Sequence, residues 1–102
     1  MSMEHMDMEQ MQEKSKEIAE LLKILANENR LLILCELAQE PRSVSYLLER
    51  LQITQSGISQ HLAILKAHGI LEYDKKAQTV IYKVKDQRIL QLLETIKSTY
   101  CN

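Results

Sequence analysis

Glycine and proline are scarce in this chain, which has two glycines and one proline among 102 residues. The glycines, Gly57 and Gly69, stand alone, so the sequence offers no glycine-rich loop to enclose a substrate. No low-complexity linker and no internal repeat divides the chain. These absences favour a single small domain over residues 1–102 and argue against an enzyme, so we assign no catalytic residue and no cofactor.

Cysteine is equally rare, and Cys35 and Cys101 lie far apart in the sequence. Two cysteines are too few for a disulfide scaffold, and in a reducing compartment they would remain thiols. No apolar run approaches the roughly twenty residues of a membrane span, and the N-terminus lacks the apolar core of a secretory signal. The sequence therefore predicts a cytoplasmic protein that does not enter a membrane.

The net charge of −1 is unevenly distributed along the chain. Residues 1–41 contain nine acids and four bases, a net charge of −5, whereas residues 42–85 contain seven bases and three acids, a net charge of +4. Residues 86–102 contain two acids and two bases and have no net charge. Because a local basic surface matters more for phosphate binding than the total charge, residues 42–85 are the part of the chain suited to nucleic acid.

Apolar residues recur at helical spacing near both ends of the chain. Asn27 and Ser43 can cap the second and third helices, and Pro41 ends the second helix. Residues 1–10 are expected to fray. The first helix has a packing seam of Met8, Met11, Ser15, Ile18, Leu22 and Leu25, and the last helix one of Ile89, Leu92, Leu93, Ile96 and Tyr100. A chain this short would bury such seams against a second copy, which predicts a homodimer formed by the first and last helices.

Residues 44–67 have the spacing of a helix-turn-helix. Thr54 can cap the second of its helices, and Gly69 suits a left-handed residue beyond its end. The apolar face of that helix comprises Ile58, Leu62 and Leu65, and the opposite face carries Gln55, Ser56, Ser59, Gln60 and Lys66. Short, mostly uncharged donors and acceptors are the groups that bind base edges and phosphate oxygens, so this helix is predicted to enter a major groove.

The apolar period changes from helical to alternating after Gly69. Residues 70–84 predict a β-hairpin with Lys75, Lys76, Ala77 and Gln78 between its strands, and Asp86 can cap a final helix over residues 86–101. The order of elements is that of a winged helix-turn-helix, a mainly α fold with a small β-hairpin that forms the wing.

We predict further DNA contacts outside the face of the helix. Lys75, Lys76 and Gln78 at the wing would contact phosphate in the flanking minor groove. His61 borders the buried face, so a structural hydrogen bond and a phosphate contact are both open. The alternative function for the whole surface is a protein-interaction module that does not bind DNA.

The sequence resembles the ArsR/SmtB family of dimeric winged-helix repressors from about residue 18 to residue 101. The resemblance rests on Leu22-Lys-Ile-Leu-Ala-Asn-Glu-Asn-Arg30, on Ser56-Gly-Ile-Ser-Gln-His-Leu62 and on Gly69-Ile-Leu71. It implies a homodimeric regulator bound to an inverted-repeat operator in double-stranded DNA.

The family's metal sites are absent from the matching positions. Ser43-Val-Ser-Tyr-Leu-Leu has no cysteine, and Arg88, Ile96 and Ser98 stand where a zinc sensor has its ligands, so no metal is assigned. A metal-responsive repressor with a different site remains an alternative.

Cys35 and Cys101, together with Ala77-Gln-Thr-Val-Ile-Tyr82, are similar to the dithiol branch, which groups HlyU-like regulators with biofilm growth-associated and sulfide-responsive repressors. This resemblance implies that reactive sulfur species or oxidants join the two thiols and change DNA affinity. Cysteine is also often buried without any chemistry, and Cys35 shares an apolar face with Leu34, so simple packing is the competing interpretation.

Overall fold

The computed structural model describes residues 7–101, which form five helices and three strands. The elements in chain order are α1 (Met8–Leu25), α2 (Glu28–Gln39), β1 (Arg42–Ser43), α3 (Val44–Arg50), α4 (Gln55–Ala67), β2 (Leu71–Lys76), β3 (Thr79–Val84) and α5 (Gln87–Tyr100). The predicted fold class is confirmed, because α3 and α4 form the helix-turn-helix and β2 and β3 form the wing. None of the helices in residues 7–101 is long and apolar enough to cross a membrane.

The predicted N-caps all form. The side chains of Asn27, Ser43 and Thr54 each accept a hydrogen bond from a backbone N–H three residues on, at 3.0 Å, and Asp86 accepts from the N–H two residues on at 2.9 Å. Gly69 ends the α4 turn with a φ of 74°, the left-handed conformation that glycine adopts without steric cost. These local signals fix where each helix starts or stops.

The N-terminus differs from the prediction that residues 1–10 fray. Helix α1 already begins at Met8, because the Asp7 carboxylate accepts hydrogen bonds from the N–H groups of Glu9 and Gln10 at 3.0 and 3.4 Å. The prediction is therefore wrong for residues 8–10. Residues 1–6 lie outside the described part of the chain.

The sheet contains one strand more than the predicted hairpin. The short strand β1 pairs antiparallel with β3, so the strand order is β1-β3-β2. The hairpin is also tighter than predicted, because Lys75 and Lys76 belong to β2 and Lys76 pairs with Thr79. Only Ala77 and Gln78 remain in the turn, and Ala77 takes a left-handed φ of 56°.

The hydrophobic core lies between α2, α3, α4, α5 and the inner ends of the wing strands. Its buried residues are Leu25, Ile33, Leu34, Leu37, Leu47, Ile58, Leu62, Leu65, Ile70, Leu71, Val84, Ile89 and Leu93. No polar or charged residue among positions 7–101 is buried with them. Helix α4 therefore has one face fixed in the core, which determines the face that it presents outward.

The seam predicted for α1 is divided between the core and the surface. Leu25 is buried and Leu21 and Ile24 pack beside it, whereas Met8 and Leu22 are 62% and 51% exposed. In α5, Ile89 and Leu93 are buried, whereas Tyr100 is 81% exposed. The two terminal helices thus retain apolar surface that residues 7–101 do not cover.

Candidate nucleic-acid interface

The outward face of α4 is polar and uncharged over its first two turns. Ile58, Leu62 and Leu65 are at most 2% exposed and fix the rotation of the helix. Their burial turns the opposite side chains to the surface, where the four uncharged members of the predicted set are exposed: Gln55, Ser56, Ser59 and Gln60. We call this set the α4 face. Its amide and hydroxyl groups can donate to and accept from the edges of base pairs.

The start of α4 is closely packed around Thr54 and Gly57. The Thr54 hydroxyl accepts a hydrogen bond from the Gly57 N–H at 3.0 Å and lies 3.4 Å from the hydroxyl of Ser56. A Cβ atom at position 57 would lie 3.0 Å from Thr54 Oγ1 and 3.1 Å from Ile53 Cγ2. Glycine at this position therefore allows the cap to close beneath the first residues of the α4 face.

His61 is half-buried and contacts a neighbouring helix. Its Nδ1 atom lies 3.5 Å from Arg30 Nη1, while Arg30 Nε donates to the carbonyl oxygen of Ile24 at 2.6 Å. Arginine is always a donor, so Nδ1 of the neutral ring is the acceptor and the ring proton resides on Nε2. Arg30 thus joins the end of α1 to α4, and its intrachain partners are a carbonyl and an imidazole.

Two causes lower the pKa of His61 below its usual value: the larger is partial burial, and the smaller is the positive charge of Arg30. Both causes favour the neutral ring. The structural hydrogen bond and the phosphate contact, which the sequence left as alternatives, use different atoms of this ring: Nδ1 faces Arg30, and Nε2–H remains a potential donor.

The predicted basic residues are all exposed but are not equivalent. Lys66, at the C-terminal end of α4, places its Nζ 4.2 Å from the ring centre of Tyr73 on β2, and Tyr73 lies 5.5 Å from Tyr82 on β3. This cation–π contact links α4 to the wing. Lys75, Lys76 and Gln78 are exposed near the end of the hairpin.

Ion pairs neutralise three of the bases in residues 42–85. Arg42 pairs with Glu40 at 3.0 Å and stacks on Tyr46, Arg50 pairs with Glu36 at 3.0 Å, and Lys83 pairs with Glu72 at 3.6 Å. Within the described chain, no carboxylate lies within 4.0 Å of the other bases of this segment, Lys66, Lys75, Lys76 and Lys85. The positive charge available to an anionic partner is thus concentrated around α4 and the wing.

The two thiols are both free and exposed. The competing interpretation of Cys35 as a buried packing residue is therefore wrong, because Cys35 is exposed although its neighbour Leu34 is fully buried. Helix α2 packs against α5, and Cys101 follows the end of α5 as its C-cap. Partial desolvation, then the negative charges of Cys101 and Glu36, raise the pKa of Cys35, and Lys97 opposes them. The raised pKa means that Cys35 is not activated as a thiolate.

Metal-ligating side chains do not cluster in the described residues 7–101, where no group of three or more histidine, cysteine, aspartate or glutamate residues could hold an ion. This part of the chain offers no preformed site for the metal-responsive alternative.

Comparison with known proteins identifies the same domain. Residues 27–73 match the family model for bacterial regulatory proteins of the arsR family. The transcriptional activator HlyU of Vibrio cholerae is 40% identical over 94% of this chain and 89% of its own length.

Solved structures agree with this assignment. Reduced HlyU from Vibrio cholerae superposes with a TM-score of 0.85 at 40% identity, covering 91% of this chain and 98% of that one. The transcriptional repressor BigR from Xylella fastidiosa superposes with a TM-score of 0.89 at 30% identity, covering 95% and 99%. The chain therefore belongs to the arsR family of bacterial regulatory proteins.

Proposed function

We propose that this chain is a homodimeric, DNA-binding transcriptional repressor whose operator is an inverted repeat. The observation that carries the proposal is the α4 face, Gln55, Ser56, Ser59 and Gln60, which is exposed, uncharged and set on a helix whose other face is fixed in the core. Such groups are suited to base edges in a major groove, and the lysines around them are suited to phosphates.

The charge around the α4 face favours DNA over a protein partner. A protein-interaction module would present a neutral or acidic surface there. Instead, Lys66 at the end of α4 and Lys75 and Lys76 on the wing have no carboxylate partner among residues 7–101, although the whole chain carries a net charge of −1. Salt screens the interaction between charges that lie more than about 8 Å apart, so distant acids of the chain do not neutralise these lysines.

Dimerisation is supported by the apolar surface of the terminal helices. Met8, Leu22 and Tyr100 are more than half exposed. The radius of gyration is 15.3 Å, against about 13 Å expected for a compact domain of this length. A second copy packed against α1 and α5 would cover this surface. Two α4 helices related by a twofold axis would then enter successive major grooves about 34 Å apart.

Control of DNA affinity is assigned to Cys35 and Cys101. Both thiols are exposed, α2 packs against α5, and one solved relative is described as reduced HlyU. An oxidant would accept two electrons as the thiols lose two protons and form a disulfide. With a polysulfide, thiolate attack would break sulfur–sulfur bonds of the reagent and release hydrosulfide, which carries away the electrons, and would leave additional sulfur atoms in the bridge. Bridging would tie α2 to the end of α5 and change the angle between the core and the dimer helices.

The DNA-binding proposal is tested by measuring affinity for the protein's own promoter and for a scrambled duplex of equal length, as a function of salt concentration. We expect preference for the promoter and a linear fall of log affinity with log salt. A Gln60→Ala variant should lose the preference while it keeps the salt dependence. Equal affinity for both duplexes in the parent, or a flat salt dependence, contradicts DNA-sequence recognition.

The thiol proposal has a separate test. The protein is treated with a polysulfide or with a mild oxidant, and its mass and its affinity for the promoter are measured in parallel. The parent should lose two hydrogen masses or gain sulfur atoms and change its affinity, whereas Cys35→Ser and Cys101→Ser variants should not respond. A response of either variant that equals the parent's response contradicts the assignment.

A further inference from the structure

Strand alternation separates the two wing lysines, Lys75 and Lys76, onto opposite faces of the hairpin. Successive residues of a strand point to opposite sides of a sheet, and directly paired residues of antiparallel neighbours share a side. The register pairs Lys75 with Val80 and Lys76 with Thr79. The two lysines are therefore adjacent in sequence but differ in the face on which they lie.

The face of Lys75 is the one that continues from the core. Leu71 and Val84 pair with each other and are 2% and 9% exposed. The next pair on that side is Tyr73 with Tyr82, followed by Lys75 with Val80. We call this side the inner face of the wing.

The inner face is also the one that meets α4. Lys66 Nζ lies 4.2 Å from the centre of the Tyr73 ring, so the last cation of α4 sits over the same face that carries Lys75. Arg42 pairs with Tyr82 in the sheet register and shares this face, but Glu40 neutralises it at 3.0 Å. The inner face therefore has two positive charges without a partner, those of Lys66 and Lys75.

The outer face of the wing has no net charge. Glu72 and Lys83 pair there at 3.6 Å, and the next residues on that side are Asp74 and Lys76. Two acids and two bases thus share the outer face. Phosphate brought to it would meet Asp74 two positions from Lys76, so the repulsion of the carboxylate would offset the attraction of the lysine.

We propose that the inner face of the wing is the side that contacts DNA and that Tyr73 positions Lys66 there. This proposal revises the prediction from sequence, since Lys75 binds a phosphate and Lys76 does not. This inference rests on the proposed DNA binding and names the residues of the wing that act in it. The partner that fits the inner face is the sugar–phosphate backbone of the duplex next to the groove that α4 enters.

The matched pair Lys75→Ala and Lys76→Ala tests the inference, because both variants lose one lysine from neighbouring exposed positions of the same strand. Affinity for the promoter duplex is measured by fluorescence anisotropy over a series of salt concentrations, and far-ultraviolet circular dichroism verifies the fold of each variant. Loss of one phosphate contact in each subunit of a dimer should lower affinity about tenfold or more and reduce the log–log salt slope by about 1.8. We expect that result for Lys75→Ala, and a change below about twofold with an unaltered slope for Lys76→Ala.

The outcomes distinguish this inference from the proposed function. If the parent binds the promoter but the two variants lose equal affinity, or Lys76→Ala loses more, the assignment of the inner face is wrong and DNA binding stands. If the parent does not bind duplex DNA, the proposed function fails and the inference fails with it. Charge reversal at the same positions, Lys75→Glu and Lys76→Glu, should enlarge the difference in the same direction.

Discussion

Replacing Ala77 by glycine should stabilise the protein, because Ala77 holds the wing turn in a left-handed conformation. It is the one non-glycine residue among positions 7–101 with a positive φ, at 56°. The left-handed conformation costs a residue with a Cβ atom about 1–2 kcal/mol, whereas glycine destabilises the fold by about 0.5–1 kcal/mol through its additional backbone entropy. The difference favours glycine by about 0.5–1 kcal/mol.

The change can be measured by thermal and urea denaturation followed by circular dichroism at a fixed concentration of protomer. For a domain of this size, the gain corresponds to a rise of about 3–6 °C in Tm. The urea midpoint should rise while the slope of the transition stays constant, since the exposed area on unfolding does not change. Ala77→Val should have the opposite effect, because a β-branched side chain tolerates a positive φ less well than alanine.

The neighbouring turn residue provides the control. Gln78 has no positive φ, so Gln78→Gly gains no relief of strain and should lower stability by about 0.5 kcal/mol through the entropy of the unfolded chain. If Ala77→Gly lowers the midpoint as Gln78→Gly does, Ala77 is not left-handed and the two-residue turn is wrong. The register of the wing would then be in question, because a slip of one residue would exchange the faces of Lys75 and Lys76.

Four further predictions address the core, the wing, the histidine and the thiol. Ile58→Ala should cost about 2–5 kcal/mol in urea denaturation, because Ile58 is fully buried, whereas Ile64→Ala, at a position 37% exposed, should cost less than about 1.5 kcal/mol. Tyr73→Leu should weaken binding to the promoter duplex about two- to fivefold through loss of the cation–π contact, and Tyr73→Phe should leave it unchanged. The folded-state pKa of His61 is lowered, so the stability that the neutral ring contributes is complete above the unfolded pKa of about 6.5 and is lost as the pH falls below it. As the pH is lowered, the urea midpoint should therefore fall less in a His61→Gln variant than in the parent protein. An equal fall in both proteins contradicts the shift. The pKa of Cys35 is raised, so its alkylation rate in a Cys101→Ser variant should reach half its maximum above the pH of an ordinary thiol, and a midpoint near neutral pH contradicts the geometry.

Local signals in the sequence were sufficient to locate the helices. The caps at Asn27, Ser43, Thr54 and Asp86 depend on hydrogen bonds within three residues, so they could be predicted from residue type and position. The burial of one face of α4 follows from its apolar spacing in the same way. Because the α4 face is the complement of that buried face, its exposure could be predicted as well.

Features that depend on distant residues could not be predicted in this way. Strand β1 is two residues long and exists only through its pairing with β3, so it has no periodicity of its own. Arg30 meets His61 across 31 positions of sequence, and no local pattern indicates that contact. The sequence predicts a turn that begins two residues too early, because the actual turn residues, Ala77 and Gln78, include none of the glycine, asparagine or aspartate residues that normally signal a tight hairpin.

The distribution of charge limits how this protein can bind DNA. If Lys66 and Lys75 are the phosphate-binding lysines of each subunit, as proposed, the proposed dimer would make four such contacts, which corresponds to a salt slope of about −3.6. This modest electrostatic attraction leaves most of the discrimination to the α4 face, and bases can be read by two α4 faces together only if their separation matches the operator. A regulator of this kind is sensitive to small changes in the angle between its subunits. When one α4 face is displaced from its half-site, its base contacts are lost, and few phosphate contacts remain to hold that subunit on the DNA. The junction of α2 and α5, where the two thiols lie, is a position at which a single covalent bond could make that change.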